Sequence, residues 1–167
     1  MVVSKDRINR IIEGYDKDDL VIGTACSHTS LQIFDGARKE GLRTLGIAVG
    51  QKTKFYDAFP RGKPDEFFYV DSYTQLLDRA EELVARNVVI VPHGSFVEYM
   101  TPRNFEDLEV PTFGNRNVLD WESDREKERM WLTGAGIEMP HRIEDPKMID
   151  RPVLVKYDGA KGGRGFF

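Results

Sequence analysis

Two apolar runs of strand length, LVIGTA at residues 20–25 and RTLGIAV at 43–49, flank a helical segment, LQIFDGARKE. This order constrains the fold more than any other feature of the chain. Strands that are apolar on both faces need covering on both, and a helix between two such strands is the crossover that lets them run parallel. Leu31, Ile33, Phe34 and Ala37 supply the inner face of that helix, Ser27 or Thr29 its N-cap, and Gly41 its end. The alternation then repeats. After a Gly-, Pro- and cation-rich loop over 50–65, residues 67–70 read as a strand. Leu76, Leu77, Ala80, Leu83 and Val84 lie at helical spacing within 73–86, and VVIVP at 88–92 is a further strand. An opening helix over 4–15 carries Ile8, Ile11 and Ile12. The pattern predicts an α/β fold, an open and mostly parallel sheet with helices on its faces, over roughly the first 120 residues.

Past Pro102 the pattern is less regular. Residues 110–114 can form a last short strand. Ser123 with Glu126 has capping-box spacing ahead of a helix ending near Gly134 or Gly136, and VLVKY at 153–157 reads as a strand. A boundary near Asp120 divides the chain into regions 1–120 and 121–167. Charge excludes some functions: 24 basic side chains against 28 acidic ones give a net charge of -4, with no surplus for gripping nucleic acid. No run of about 18 apolar residues provides a membrane span, and the first residues lack the apolar core of a signal peptide. The single cysteine, Cys26, rules out an internal disulfide and an all-cysteine zinc site, and it suits the cytoplasm.

Ligands of open α/β sheets gather at the carboxyl ends of the strands. Two stretches fall there. ACSHTS at 25–30 places His28 beside a helix N-terminus, which favours an anion. PHGSF at 92–96 follows another strand and brings Gly94, where backbone can approach a ligand, and Ser95, with one hydroxyl. Each has a plainer reading, the serines and threonine as helix caps and the histidines as solvated side chains. Cys26 reads as a small buried residue, because no base is assignable to it. Lys52, Lys54, Arg61 and Lys63 can screen a phosphate or simply solvate a loop. The closing VLVKYDGAKGGRGFF runs from a strand bearing Lys156 into Gly159, Lys161, Gly162, Gly163, Arg164 and Gly165. It fits neither the Walker pattern nor G-x-G-x-x-G. Converging glycine N–H groups with two cations can cradle phosphate, and the same composition also suits a flexible hairpin.

The segment AGIEMPHRIEDPKMIDRPVLVKYDGAKGGRGFF resembles the opening of the ATP-grasp fold, and the α/β region before it resembles the Rossmann-like pre-ATP-grasp domain. The blocks GTACSHTSLQIFDGARKEGLRTLGIAVG, VPHGSFVEY, PTFGNRNVLDWESDREKERMWLTGAGIEMP and VLVKYDGAKGGRGFF are similar to the archaeal formate-dependent synthetases of purine biosynthesis. That family formylates AICAR, the imidazole carboxamide ribonucleotide, to FAICAR through formyl phosphate, consuming ATP with magnesium and releasing ADP and phosphate. By resemblance, His28 and Ser95 contact AICAR, while Lys156, Lys161, Gly162, Gly163, Arg164 and Gly165 contact ATP. Region 1–120 is then the ribonucleotide-binding domain and 121–167 the beginning of an ATP-grasp domain. The metal ligands are expected downstream of residue 167, with none in this chain, so these 167 residues alone are expected to be inactive, with residues 158–167 poorly ordered. AICAR, formate and ATP are the implied partners of a cytoplasmic homo-oligomer that binds neither nucleic acid nor membrane. Two alternatives stay open: another ATP-grasp ligase joining a carboxylate to an amine, and a ribonucleotide-binding fragment without catalysis.

Overall fold

The computed structural model describes residues 2–50 and 53–155. The chain divides into two compact units, Met1–Asn117 and Val118–Phe167. In the first unit the described elements are α1 (Lys5–Glu13), β1 (Val21–Ala25), α2 (Ser30–Lys39), β2 (Arg43–Val49), β3 (Glu66–Val70), α3 (Ala80–Val84), β4 (Val88–Ile90), α4 (Gly94–Met100) and α5 (Pro102–Asp107). The four strands form one wholly parallel sheet in the order β3-β2-β1-β4, with Val21 facing both Arg43 and Val88. The open parallel α/β architecture expected from the alternation is the one found, and β2 has the bounds read from the sequence. Beyond β4, Thr112 makes a parallel bridge to Ile90, so the short strand expected at 110–114 is a single paired position.

Phe34 of α2, Leu76, Leu83 of α3, and Ile47, Val88 and Ile90 of the sheet have almost no exposed surface. They bury large apolar area on both sheet faces, the dominant favourable term for such a fold. Gly23 in β1 is required by close approach: a Cβ there would lie 2.6 Å from Cγ1 of Val88. At the amino ends of the strands, the Tyr15 hydroxyl donates to the Val88 carbonyl at 2.9 Å and ties the chain after α1 to β4.

Four local expectations are corrected. The helix foreseen over 73–86 is broken into a 3-10 turn, Tyr73–Leu76, and α3. Arg79 between them leaves helical geometry to lay its guanidinium 4.1 Å from the centre of the Phe68 ring and to donate to the Tyr69 carbonyl at 2.7 Å. Tertiary contact outweighs helical spacing here. Within the expected loop over 50–65, a 3-10 turn at Lys54–Ala58 seats Tyr56, which is 2% exposed. In the second unit, α6 (Val118–Ser123) precedes α7 (Arg125–Gly134). Asp124, not Ser123, caps α7: its carboxylate accepts from the N–H groups of Glu126 and Lys127, while the Ser123 hydroxyl donates to the Asp120 carbonyl. Asp and Ser are about equal as caps, so the extra turn of α6 decides between them. Residues 153–155 of the expected strand are irregular, with Leu154 63% exposed and no neighbouring strand among the described residues to pair with.

Helices α4 and α5 were not anticipated. They meet at Thr101, which holds φ 68° and ψ 147°, a backbone region that favours glycine and costs a β-branched residue about 1–3 kcal/mol. The Thr101 hydroxyl accepts from the Asn104 N–H and opens α5 ahead of Pro102.

Candidate functional site

Three consecutive residues at the carboxyl end of β1 are hydrogen-bonded to three other places in the chain. The Thr24 hydroxyl donates to the Val91 carbonyl at 2.7 Å. The Ala25 carbonyl accepts from Nε2 of His93 at 2.9 Å. The Cys26 carbonyl accepts from the Tyr73 hydroxyl at 3.4 Å. The end of β1 is thereby fastened to the chain leaving β4 and to the 3-10 turn before α3. His93 is the joint between the two turns selected by sheet topology. Its Nδ1 accepts from the Ser95 backbone N–H at 3.3 Å, so the proton sits on Nε2, facing Ala25.

The turn that carries His28 is held without using His28. The Ser27 hydroxyl accepts from the Thr29 N–H at 3.1 Å, and the Ser30 hydroxyl lies 2.7 Å from both the Ser27 carbonyl and the Tyr56 hydroxyl. Thr29 occupies the N-cap position of α2, but its hydroxyl makes no capping bond, and that of Ser27 bonds one residue short of the helix. The capping expected of these two residues is thus replaced by the buried Ser30 and Tyr56 pair. What remains is an exposed His28 beside the N-terminus of a helix of 10 residues, whose partial positive charge and outward N–H groups suit an anion. Ser95 stands half-buried in the first turn of α4, and a Cβ on Gly94 would meet nothing within 4 Å, so that turn opens onto free space.

Burial pushes the His93 imidazole below its usual pKa; the bond to the Ala25 carbonyl works the other way, and charge on nearby His28 adds to the lowering. Neutral His93 is what the geometry needs, because protonated Nδ1 cannot accept from Ser95. The folded pKa lies below the unfolded value of about 6.5, so the contribution of His93 to stability is complete above that pH and is lost as pH falls through the folded pKa. Urea unfolding midpoints of the protein are therefore expected to drop between pH 7.5 and 5, and to drop less in His93→Gln. Equal pH slopes in both proteins would contradict this role.

The remaining sequence candidates separate cleanly. Burial pushes the Cys26 thiol up to about 11, so it stays protonated at neutral pH and is no nucleophile. Arg61 pairs with Asp35 and Lys63 with Asp57, which makes them surface ion pairs. Lys52, Lys156, Lys161, Gly162, Gly163, Arg164 and Gly165, and the disorder expected at 158–167, lie outside the described residues. His93 was undervalued from the sequence, because its partner Ala25 is 68 positions away. The only local signal for it is the His-Gly-Ser order directly after a strand.

A family model described as protein of unknown function, DUF1246, matches residues 22–143. Among curated proteins the chain is 64% identical, over 99% of its length, to the 5-formaminoimidazole-4-carboxamide-1-(beta)-D-ribofuranosyl 5'-monophosphate synthetase of Methanococcoides burtonii, covering 46% of that protein. It is 60% identical, again over 99% of its length, to the protein of the same name from Methanosarcina acetivorans, of which it covers 47%. The chain spans about half the length of the curated relatives it matches. Among solved structures, the IMP biosynthesis protein PurP of Thermococcus kodakaraensis superposes with a TM-score of 0.64 at 32% identity, covering 81% of this chain and 43% of that one. The N5-carboxyaminoimidazole ribonucleotide synthetase of Thermotoga maritima shares the fold, with a TM-score of 0.62 at 18% identity over 89% of this chain and 40% of that one.

Proposed function

Since the chain belongs to the family described as protein of unknown function, DUF1246, we propose that it is the ribonucleotide-binding part of an ATP- and formate-dependent ligase that converts AICAR to FAICAR. The observation that carries this is the joining of the His28 and Ser95 turns, through His93, at one sheet edge. Support comes from relatives 60–64% identical over 99% of the chain that are named for the FAICAR product. His28 and the N-terminus of α2 take the phosphate of AICAR, and the Ser95 hydroxyl adds a neutral hydrogen bond to the same ribonucleotide.

Formate is a poor acyl donor because its leaving group is oxide. Transfer of the γ-phosphoryl group of ATP to a formate oxygen gives formyl phosphate and ADP. Attack by the AICAR amine on the formyl carbon then expels phosphate, and the amine loses a proton. The residues at the sheet edge supply position rather than chemistry: holding AICAR in line with the formyl carbon is worth up to about 7–11 kcal/mol. Lys156, Lys161, Gly162, Gly163, Arg164 and Gly165 are the proposed ATP contacts. The described residues do not fit a magnesium site, as they include no group of three His, Cys, Asp or Glu side chains placed to hold a metal ion. No helix among them is long and apolar enough to cross a membrane. In this reading the protein works in the cytoplasm as a homo-oligomer, and the exposed rings of Phe55, Phe59 and Tyr69 beside edge strand β3 support the assembly. Assay of the whole protein for ADP release is expected to show turnover that requires AICAR and formate together. Faster turnover with another carboxylate, or with another amine, would replace the substrate assignment.

A further inference from the structure

Helix α4 carries a second side chain on the face of Ser95. Tyr99 lies four residues on, one helical turn, and is 58% exposed although its helix is otherwise seated through Phe96, Val97 and Met100. It is not a loose surface ring. Its plane lies 23° from that of Tyr73, with ring centres 5.7 Å apart. Tyr73 is 8% exposed, and its hydroxyl reaches the Cys26 carbonyl at 3.4 Å and the Ile47 carbonyl at 3.5 Å, at the carboxyl ends of β1 and β2. Tyr99 is therefore backed by a ring anchored to the strand ends two residues from His28, while more than half of its own surface stays exposed. Strained Thr101 fixes where α4 stops, two residues after Tyr99. A fixed aromatic face beside two polar turns is the arrangement that takes a flat heteroaromatic ring, because stacking needs no particular hydrogen-bond pattern and costs a two-rotor side chain little entropy.

We infer that Tyr99 is the stacking platform for the base of the ribonucleotide held by His28 and Ser95, and so sets its preference for a nucleotide over a bare sugar phosphate. This rests on the ribonucleotide reading above. Loss of one base-on-ring stack is expected to weaken binding about tenfold or more.

The test is calorimetry of the whole protein with two probes, AICAR and ribose 5-phosphate, which lacks the base. Tyr99→Leu is expected to weaken AICAR at least about tenfold, to leave ribose 5-phosphate unchanged, and to be rescued by Tyr99→Phe. Because the ring is exposed, both variants should melt with the wild type, and circular dichroism checks this. Unchanged AICAR affinity in Tyr99→Leu, or equal weakening of both probes, overturns the platform while leaving the ribonucleotide site standing. A wild-type protein that binds AICAR no better than ribose 5-phosphate overturns the ribonucleotide reading and the platform with it.

Discussion

His28→Ala is expected to weaken AICAR binding about ten- to a hundredfold and to leave ATP binding unchanged. The magnitude follows from losing one hydrogen bond to a charged phosphate, worth about 1.5–3 kcal/mol, at about 1.4 kcal/mol per tenfold. The N-terminus of α2 remains and contributes about 0.3–1 kcal/mol by its dipole, so binding weakens without vanishing. The fold should not suffer, because the bonds that shape the turn belong to Ser27, Ser30 and Tyr56 and the His28 side chain is exposed. Calorimetry with AICAR and ATP separately checks the outcome. Equal loss of both ligands, with a lowered melting temperature, would show that His28 supports the fold and not the ligand.

Arg116→Met is expected to have the larger effect on stability, about 2–4 kcal/mol. The guanidinium donates to the Phe105 carbonyl at 3.0 Å, to the Leu108 carbonyl and to the Val110 carbonyl at 2.7 Å, and it lies 5.7 Å from the centre of the Phe105 ring. These carbonyls belong to the end of α5 and to the segment that continues to Thr112, where Ile90 donates to Pro111 and accepts from Phe113 at 2.8 Å each. Methionine fills a similar volume and satisfies none of the three acceptors, each costing about 1–3 kcal/mol if left dry, with solvent recovering part of the total. Arg116→Lys should fall between, since an ammonium cannot fork to three carbonyls in a fixed plane. Urea unfolding measures the difference, and a midpoint in Arg116→Met equal to the wild type would contradict the role.

Most of the sheet was legible because its strands are apolar on both faces: β2 is recovered to the residue, and β1 and β3 to within one at one end. The two turns were legible because position after a strand is a sequence property, and His28 and Ser95 follow strands. What fixes those turns is not. His93 acts on a carbonyl far away in sequence, and Tyr73 and Tyr99 meet only once α4 has formed. At seven and six residues, α4 and α5 are too short for a period to show, and their junction is a threonine in a glycine-favouring conformation, against its own propensity. The helix expected over 73–86 failed for a related reason, since Arg79 gains a ring and a carbonyl by leaving helical geometry. Asp124 displaced Ser123 as a cap because α6, unrecognised in the sequence, already uses the serine.

The central claim is that one ribonucleotide binds across the turns of His28 and Ser95. Backbone amide shifts recorded during an AICAR titration of the isotope-labelled protein test it most directly. The largest changes are expected at residues 27–31 and 93–96, with the His93 ring nitrogens moving alongside and keeping the proton on Nε2. Saturable changes confined elsewhere, for example around Arg43, Asp65 and Arg86 at the opposite end of the strands, would contradict the claim.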